Sequence, residues 1–240
     1  MILPRIAGED PLTTLDLTRP DTFPSRRDED WKYTDVRRYL RAAPAPSPTG
    51  AVRGGGPFFD LGGEGLTFVN GVAVGDDRFA AFADGIVRLR FVSDANGTGH
   101  GAVATIGVRA GRHLTILESH EGHGSGYVAH NRLIIQVPSQ ARVERIVLVE
   151  EPEDAISVTQ AEVVLGAGAA FSQTVLTTGA KLQRVETRLN HPGEGATVRI
   201  DGAYLLTGKR HADLTTEVDH IGGDGLTDQL TKGVVRDEAR

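Results

Sequence analysis

Short apolar runs alternate along this chain with breaks rich in glycine, proline and asparagine, and beyond residue 65 helical periodicity is nearly absent. Runs of β type span 66–74, 86–92, 103–108, 113–118, 132–137, 143–149, 156–165, 171–177, 185–189, 198–206 and 214–218. Several recur at a nearly fixed interval. Aligning the segments that begin at Arg112, Ala141, Ala169 and Ala196 places Leu114, Val143, Phe171 and Val198 in register, with spacings of 29, 28 and 27 residues. Each segment follows a turn: Ala110-Gly111, Pro138-Ser139-Gln140, Gly166-Ala167-Gly168 or Pro192-Gly193-Glu194-Gly195. Two short strands and two turns, at about 3.3 Å per strand residue, use roughly 25–30 residues. The predicted architecture is therefore all-β: a right-handed, flattened two-sheet parallel β-helix in which like positions of successive coils stack. An antiparallel sandwich also spaces its strands evenly. Against it, the hairpin signal Asn-Gly occurs only at Asn70-Gly71 and Asn96-Gly97, ahead of the repeating part.

The N-terminal region follows another pattern. Residues 1–24 carry Pro4, Pro11, Pro20 and Pro24 and read as irregular or briefly helical. Thr34 followed by Asp35 reads as an N-cap and acidic first turn for a short helix with Val36, Tyr39 and Leu40 on one side. The alternate prolines of residues 42–50 forbid helix and favour an extended linker. The expected organisation is an N-terminal module with its linker over residues 1–50 and a β-helix core over 51–240.

Composition narrows the class further. A chain of 240 residues buries enough surface for one sizeable core. With 30 glycines and only 5% aromatic residues, that core is built of small and β-branched side chains between many tight turns. The absence of cysteine excludes a disulfide framework, thiolate metal ligands and cysteine nucleophiles. The net charge of -6 is spread out, with no basic block beyond Arg26-Arg27 and Arg37-Arg38, which disfavours nucleic acid as a partner. The first ten residues have no apolar signal core and no run of about 18 apolar residues occurs, so the expectation is a cytoplasmic protein that meets no membrane.

Sites of chemistry are sparse. Thr207-Gly208-Lys209-Arg210 lacks the first glycine and the final hydroxyl of a phosphate loop, Gly166-Ala167-Gly168 leads into a strand rather than a helix, and no Gly-x-Ser-x-Gly elbow exists. Histidines form two groups. His113, His120, His123 and His130 flank a glycine-rich stretch in which His120, His123 and Glu121 are weak candidates for holding Zn²⁺ or Fe²⁺. Their spacing matches no defined motif, and a solvated loop accounts for them as well. The second group is His211, Asp213, Glu217, Asp219 and His220, with His211 and His220 as further weak metal candidates; alternation puts the first four on one face of a strand and His220 with Leu214 and Val218 on the other. A polar outer face is the plainer reading.

Four stretches resemble a known family. Pro24-Ser25-Arg26-Arg27-Asp28-Glu29-Asp30-Trp31-Lys32-Tyr33-Thr34-Asp35 looks like an amino-terminal signature, with Trp31, Tyr33, Thr34 and Asp35 at its centre, and Phe68-Val69-Asn70-Gly71 resembles a strand that follows it. Asp213 to His220, with Asp219 and His220 at its end, and Asp228 to Arg240 are similar to the core signature of the same family. On these residues the chain resembles the SufB/SufD family of iron–sulfur cluster assembly scaffolds, and the Trp31-Lys32-Tyr33 start and the chain length are closer to its SufD branch. The resemblance implies a non-catalytic, cytoplasmic subunit of the SUF system. Such a subunit pairs with a SufB-like β-helix and binds a SufC-like ATPase, and it meets an iron–sulfur cluster or iron only within the assembled complex. Family members continue through further strands and a C-terminal helical domain where this sequence stops, so no cluster ligand carries over and a fragment or shortened homologue is expected. An open last coil would favour self-association. Two other classes stay open: a hydrolase or lyase on acidic polysaccharide, for which 13 aromatic residues are few, and a small histidine-dependent metal-binding protein.

Overall fold

The computed structural model describes residues 15–74 and 83–240, so the irregular start expected over residues 1–14 lies outside the described residues. The strands are β1 Glu64–Val69, β2 Val72–Val74, β3 Gly85–Ser93, β4 Gly99–Gly107, β5 His113–Gly122, β6 Val128–Val137, β7 Arg142–Glu150, β8 Ile156–Leu165, β9 Ala170–Thr177, β10 Leu182–His191, β11 Thr197–Leu206, β12 Asp213–His220 and β13 Leu226–Val235. Odd strands from β1 to β13 form one sheet with β2 on its edge, and even strands from β4 to β12 form the other. Every neighbouring pair in both sheets is parallel except β1 and β2. The chain thus crosses from one sheet to the other and back, adding each strand one place further along. That is a parallel β-helix, and it rules out the antiparallel sandwich.

The pairing register runs Leu114 to Val143, Val143 to Phe171 and Phe171 to Val198. All four side chains are buried in the main core. Alternation explains the rest of that core: Leu133 and Ile135 of β6, Ala161 and Val163 of β8 and Leu189 of β10 face inward from the even sheet at every second position. Each such aliphatic side chain taken from water contributes about 1.5–3 kcal/mol.

The coil begins earlier than the repeat predicted and continues later. β1 already pairs with β3 at an offset of 23 residues, Glu64 to Val87, before the spacing settles at 29 between Gly85 and Leu114. Strand β13, missed in the sequence because its apolar positions are interrupted by Thr, Asp, Gln and Lys, pairs with β11 along its length. Asn70 and Gly71, at φ 47° and 81°, do make a hairpin, so the run 66–74 is two strands, β1 and β2. Asn96-Gly97 instead lies at a corner between sheets, where Asn96 bridges Ser125 of the next coil in parallel.

The N-terminal segment is fastened to the even sheet. Helix α1 is Val36–Tyr39, and its cap is Asp35, which accepts a hydrogen bond from the Arg38 amide at 3.0 Å. Thr34, expected as the cap, is fully buried and bonded elsewhere. Leu15, Phe23, Trp31 and Val36 pack on Val128, Ile156, Val158 and Leu182, on the face of the sheet turned away from the coil interior. The proline-rich linker is extended, as expected, and adds to the edge of β4: Ser47 N–H donates to Gly99 and Gly99 N–H donates to Ala45, both at 2.8 Å. Proline is tolerated at such an edge, and the added segment covers backbone groups that would otherwise stand unpaired. Among the described residues no helix is long and apolar enough to cross a membrane.

Candidate functional site

The coil interior is not wholly apolar. Glu118 and His120 share the inward parity of Leu114 and Ile116 on β5, Arg145 that of Val143 on β7, and Gln173 that of Phe171 on β9. Arg145 grips Glu118 with two hydrogen bonds, Nε at 2.8 Å and Nη2 at 2.7 Å, and both side chains are fully buried. Its Nη1 donates to Gln173 Oε1 at 2.6 Å, which also accepts from Thr187 Oγ1. His120 Nε2 donates to Glu118 at 2.8 Å, and Asn131 lies 3.5 Å from its Nδ1. Burial pushes the Glu118 carboxyl up, but the Arg145 and His120 charges and hydrogen bonds outweigh it and hold the group at about 2. The His120 ring stacks on Phe91 at 4.9 Å, which stacks on Phe68 at 5.4 Å.

A second polar group lies in the same interior. Glu151 accepts from Tyr127 Oη and Gln183 Nε2, each at 3.4 Å, and Gln183 Oε1 accepts from Thr177. Here burial dominates and raises the Glu151 carboxyl above its usual range. The two groups place a bound carboxylate and a carboxyl that resists ionisation inside one closed coil. The bonds of Arg145 to Glu118 and Gln173, and those of Glu151 with Tyr127 and Gln183, run between successive coils and fix one against the next.

The other polar concentration is the junction between the N-terminal segment and the even sheet. Arg184 and Asp213 are register partners on β10 and β12, joined at 2.7 Å, and Trp31 covers the Arg184 guanidinium at 4.4 Å. The Thr34 hydroxyl donates to Asp213, His211 Nε2 donates to the Tyr33 carbonyl at 3.0 Å, and Asp30 pairs with Arg188 at 3.2 Å. Burial lowers the proton affinity of His211, against the pull of its bond to Tyr33 and of Asp213.

The structure separates the histidines that the sequence grouped. His120 is on a strand and points into the coil, not into a solvated loop, while His123 is partly exposed past the end of β5, 3.9 Å from Glu121. Glu121 itself pairs with Arg90 on the outer face. His113 is exposed at the start of β5, and His130 is buried against Gln160 of β8. His211 stands ahead of β12, bridging Ala180, whereas His220 ends that strand, where it is exposed and stacks on buried His191 at 4.9 Å. Asp219 is exposed, and Glu217 lies 3.3 Å from Arg188. Among the described residues no three His, Cys, Asp or Glu side chains stand together as metal ligands, and the sequence supplies no thiolate.

What does come together is the pair of signatures from opposite ends of the chain, since Trp31, Tyr33 and Thr34 meet Arg184, His211 and Asp213. The class these features define is a β-solenoid with an N-terminal segment packed on the outer face of one of its sheets. Residues 91–240, more than half of the chain, match the family model described as SUF system FeS cluster assembly, SufBD core domain. The chain belongs to that family, and its role lies in SUF iron–sulfur cluster assembly. No curated protein matches the chain.

Proposed function

We propose that this chain is a SufD-type subunit of the cytoplasmic SUF scaffold. It is not an enzyme. It pairs through its solenoid with a SufB-like subunit and receives a SufC-like ATPase, and the iron–sulfur cluster or iron is cargo met only in the assembled complex. The observation that carries the reading is the junction of Trp31, Tyr33 and Thr34 with Arg184, His211 and Asp213. The SufD-like start is thereby an integral part of the fold next to the family's core signature. Against a polysaccharide enzyme, the large exposed aromatic side chains among the described residues, Tyr33 and Phe59, lie outside the coil strands and build no sugar platform along a flank.

The test is co-purification of the chain with SufB-like and SufC-like subunits from the same source, followed by light scattering. A stable complex with the SufB-like subunit is expected. Retention of neither partner by a chain whose strand signal is intact would end this reading, and binding of acidic polysaccharide in the same experiment would favour the enzyme class.

A further inference from the structure

Three buried histidines lie where the N-terminal segment and its linker meet the solenoid. His100 Nδ1 is 3.0 Å from Ser47 Oγ of the linker, and its Nε2 is 3.0 Å from Ser93 Oγ. His130 Nε2 is 3.0 Å from Gln160 Oε1. Together with His100 it lines a cleft of about 460 Å³, closed on the other side by Leu15, Leu17, Pro44 and Pro46. His211 holds the Tyr33 carbonyl through Nε2, while its buried Nδ1 has no hydrogen-bond partner among the described residues. A proton there would face the Gln183 backbone, whose pull burial outweighs. Asp213 is the acidic group that acts on it, and it is already committed to Arg184 and Thr34.

We propose that residues 15–50 form an acid-releasable strap: protonation of His100, His130 and His211 detaches the segment from the even sheet and uncovers the face that carries Ile156, Val158, Leu182 and Arg184. Burial depresses all three imidazoles, His100 to about 4. Around His130, Gln160, Asp16 and Glu186 favour the charged ring and Arg132 opposes it. Around His211, the Tyr33 carbonyl, Asp213 and the Gln183 backbone favour it and Arg240 opposes it. Burial prevails at each site.

The sign follows from linkage. A histidine whose proton affinity is lower in the docked state supports docking fully above its free value of about 6.5, and that support is lost as the pH falls toward the docked value. Each histidine changes the docking equilibrium by up to about tenfold per pH unit in that window, and three together by up to about a thousandfold. The cleft beside His100 and His130 gives protons a way in.

The chain's single tryptophan, Trp31, belongs to this strap, is buried against the even sheet and reports on its release directly. Its emission maximum and acrylamide quenching are followed from about pH 7.5 to about pH 4, with far-UV circular dichroism in parallel. The expected result is a red shift and a several-fold rise in quenching centred between about pH 4 and 6.5, while the strand signal persists. His211→Gln keeps an amide donor for the Tyr33 carbonyl but cannot titrate, so it shifts the midpoint downward and makes the transition shallower, as do His100→Gln and His130→Gln. Trp31 that stays shielded until the strand signal itself collapses would overturn the proposal. So would a transition that none of the three variants moves. Should a variant fail to fold at neutral pH, NMR titration of the wild-type imidazoles decides instead: depressed values support the strap, and three values at or above about 6.5 refute it.

Discussion

Replacing Arg145 with Met removes the guanidinium that holds Glu118 by two hydrogen bonds inside a closed coil, where both side chains are fully buried. Two routes give the size of the loss. The Glu118 carboxyl is held at about 2 against a usual 4.5, and that displacement corresponds to about 3 kcal/mol of preference for the ionised, paired form. Independently, breaking a buried ion pair from one side typically costs about 3–5 kcal/mol, because the remaining charge stays buried without its partner. Arg145→Met should therefore lose about 3–5 kcal/mol in urea unfolding at pH 7, followed by circular dichroism and Trp31 emission. The double variant Glu118→Leu with Arg145→Met should recover much of it, leaving about 1–3 kcal/mol for the polar partners stranded at Gln173 and His120. The pH dependence has a definite sign: Glu118 is a depressed carboxyl, so its contribution is present above about pH 4.5 and is lost as the pH falls toward about 2. Wild type should weaken across that window more steeply than Arg145→Met. A single variant that loses less than about 1 kcal/mol, or a double variant no better than the single, would refute the reasoning.

Two further outcomes test the packing. Phe171→Ala should cost about 3–5 kcal/mol in the same urea titration, because the ring is a rung between Val143 and Val198 of adjacent coils and a cavity there cannot close; a loss under about 1 kcal/mol would show that the ladder is loosely stacked. Gly124→Ala would put a Cβ 1.8 Å from the Ala95 carbonyl oxygen, while Gly111→Ala, at φ 68°, meets open space. The first should lower the thermal midpoint markedly and the second only by the strain of its backbone conformation, about 1 kcal/mol, so equal losses would refute the close approach at the Ala95 corner.

The coil was legible because its repeat is a pairing register. Two strands, two turns and a fixed spacing leave little freedom, and Leu114, Val143, Phe171 and Val198 stand where their spacing predicts. The first coil was not legible, since it is shorter and carries an ordinary hairpin at Asn70-Gly71. Strand β13 was hidden for another reason: its exposed side chains need no continuous apolar alternation. The edge role of the proline-rich stretch could not be read at all, because which backbone lies beside Ala45 and Ser47 is decided some fifty residues later, at Gly99.

The site was half legible, and the missing half was missed by trusting polarity over parity. Arg145 stands two residues after Val143, and Gln173 two after Phe171, so once those two positions are inward the alternation of a strand makes Arg145 and Gln173 inward as well. Ile116, Arg145, Gln173 and Ile200 are one stacked row, and two polar members between two isoleucines could have been recognised as a buried pair needing an acid nearby. Glu118 supplies it from the neighbouring row. The junction obeys the same logic on the opposite face, where Arg184 and Asp213 share a row and are met by Trp31 and Thr34 from a distant part of the chain. Register thus tells which polar residues are inside and which lie side by side, whereas the segment that covers an outer face is fixed only by tertiary packing. That is why the two signatures could be recognised separately in the sequence while their contact could not.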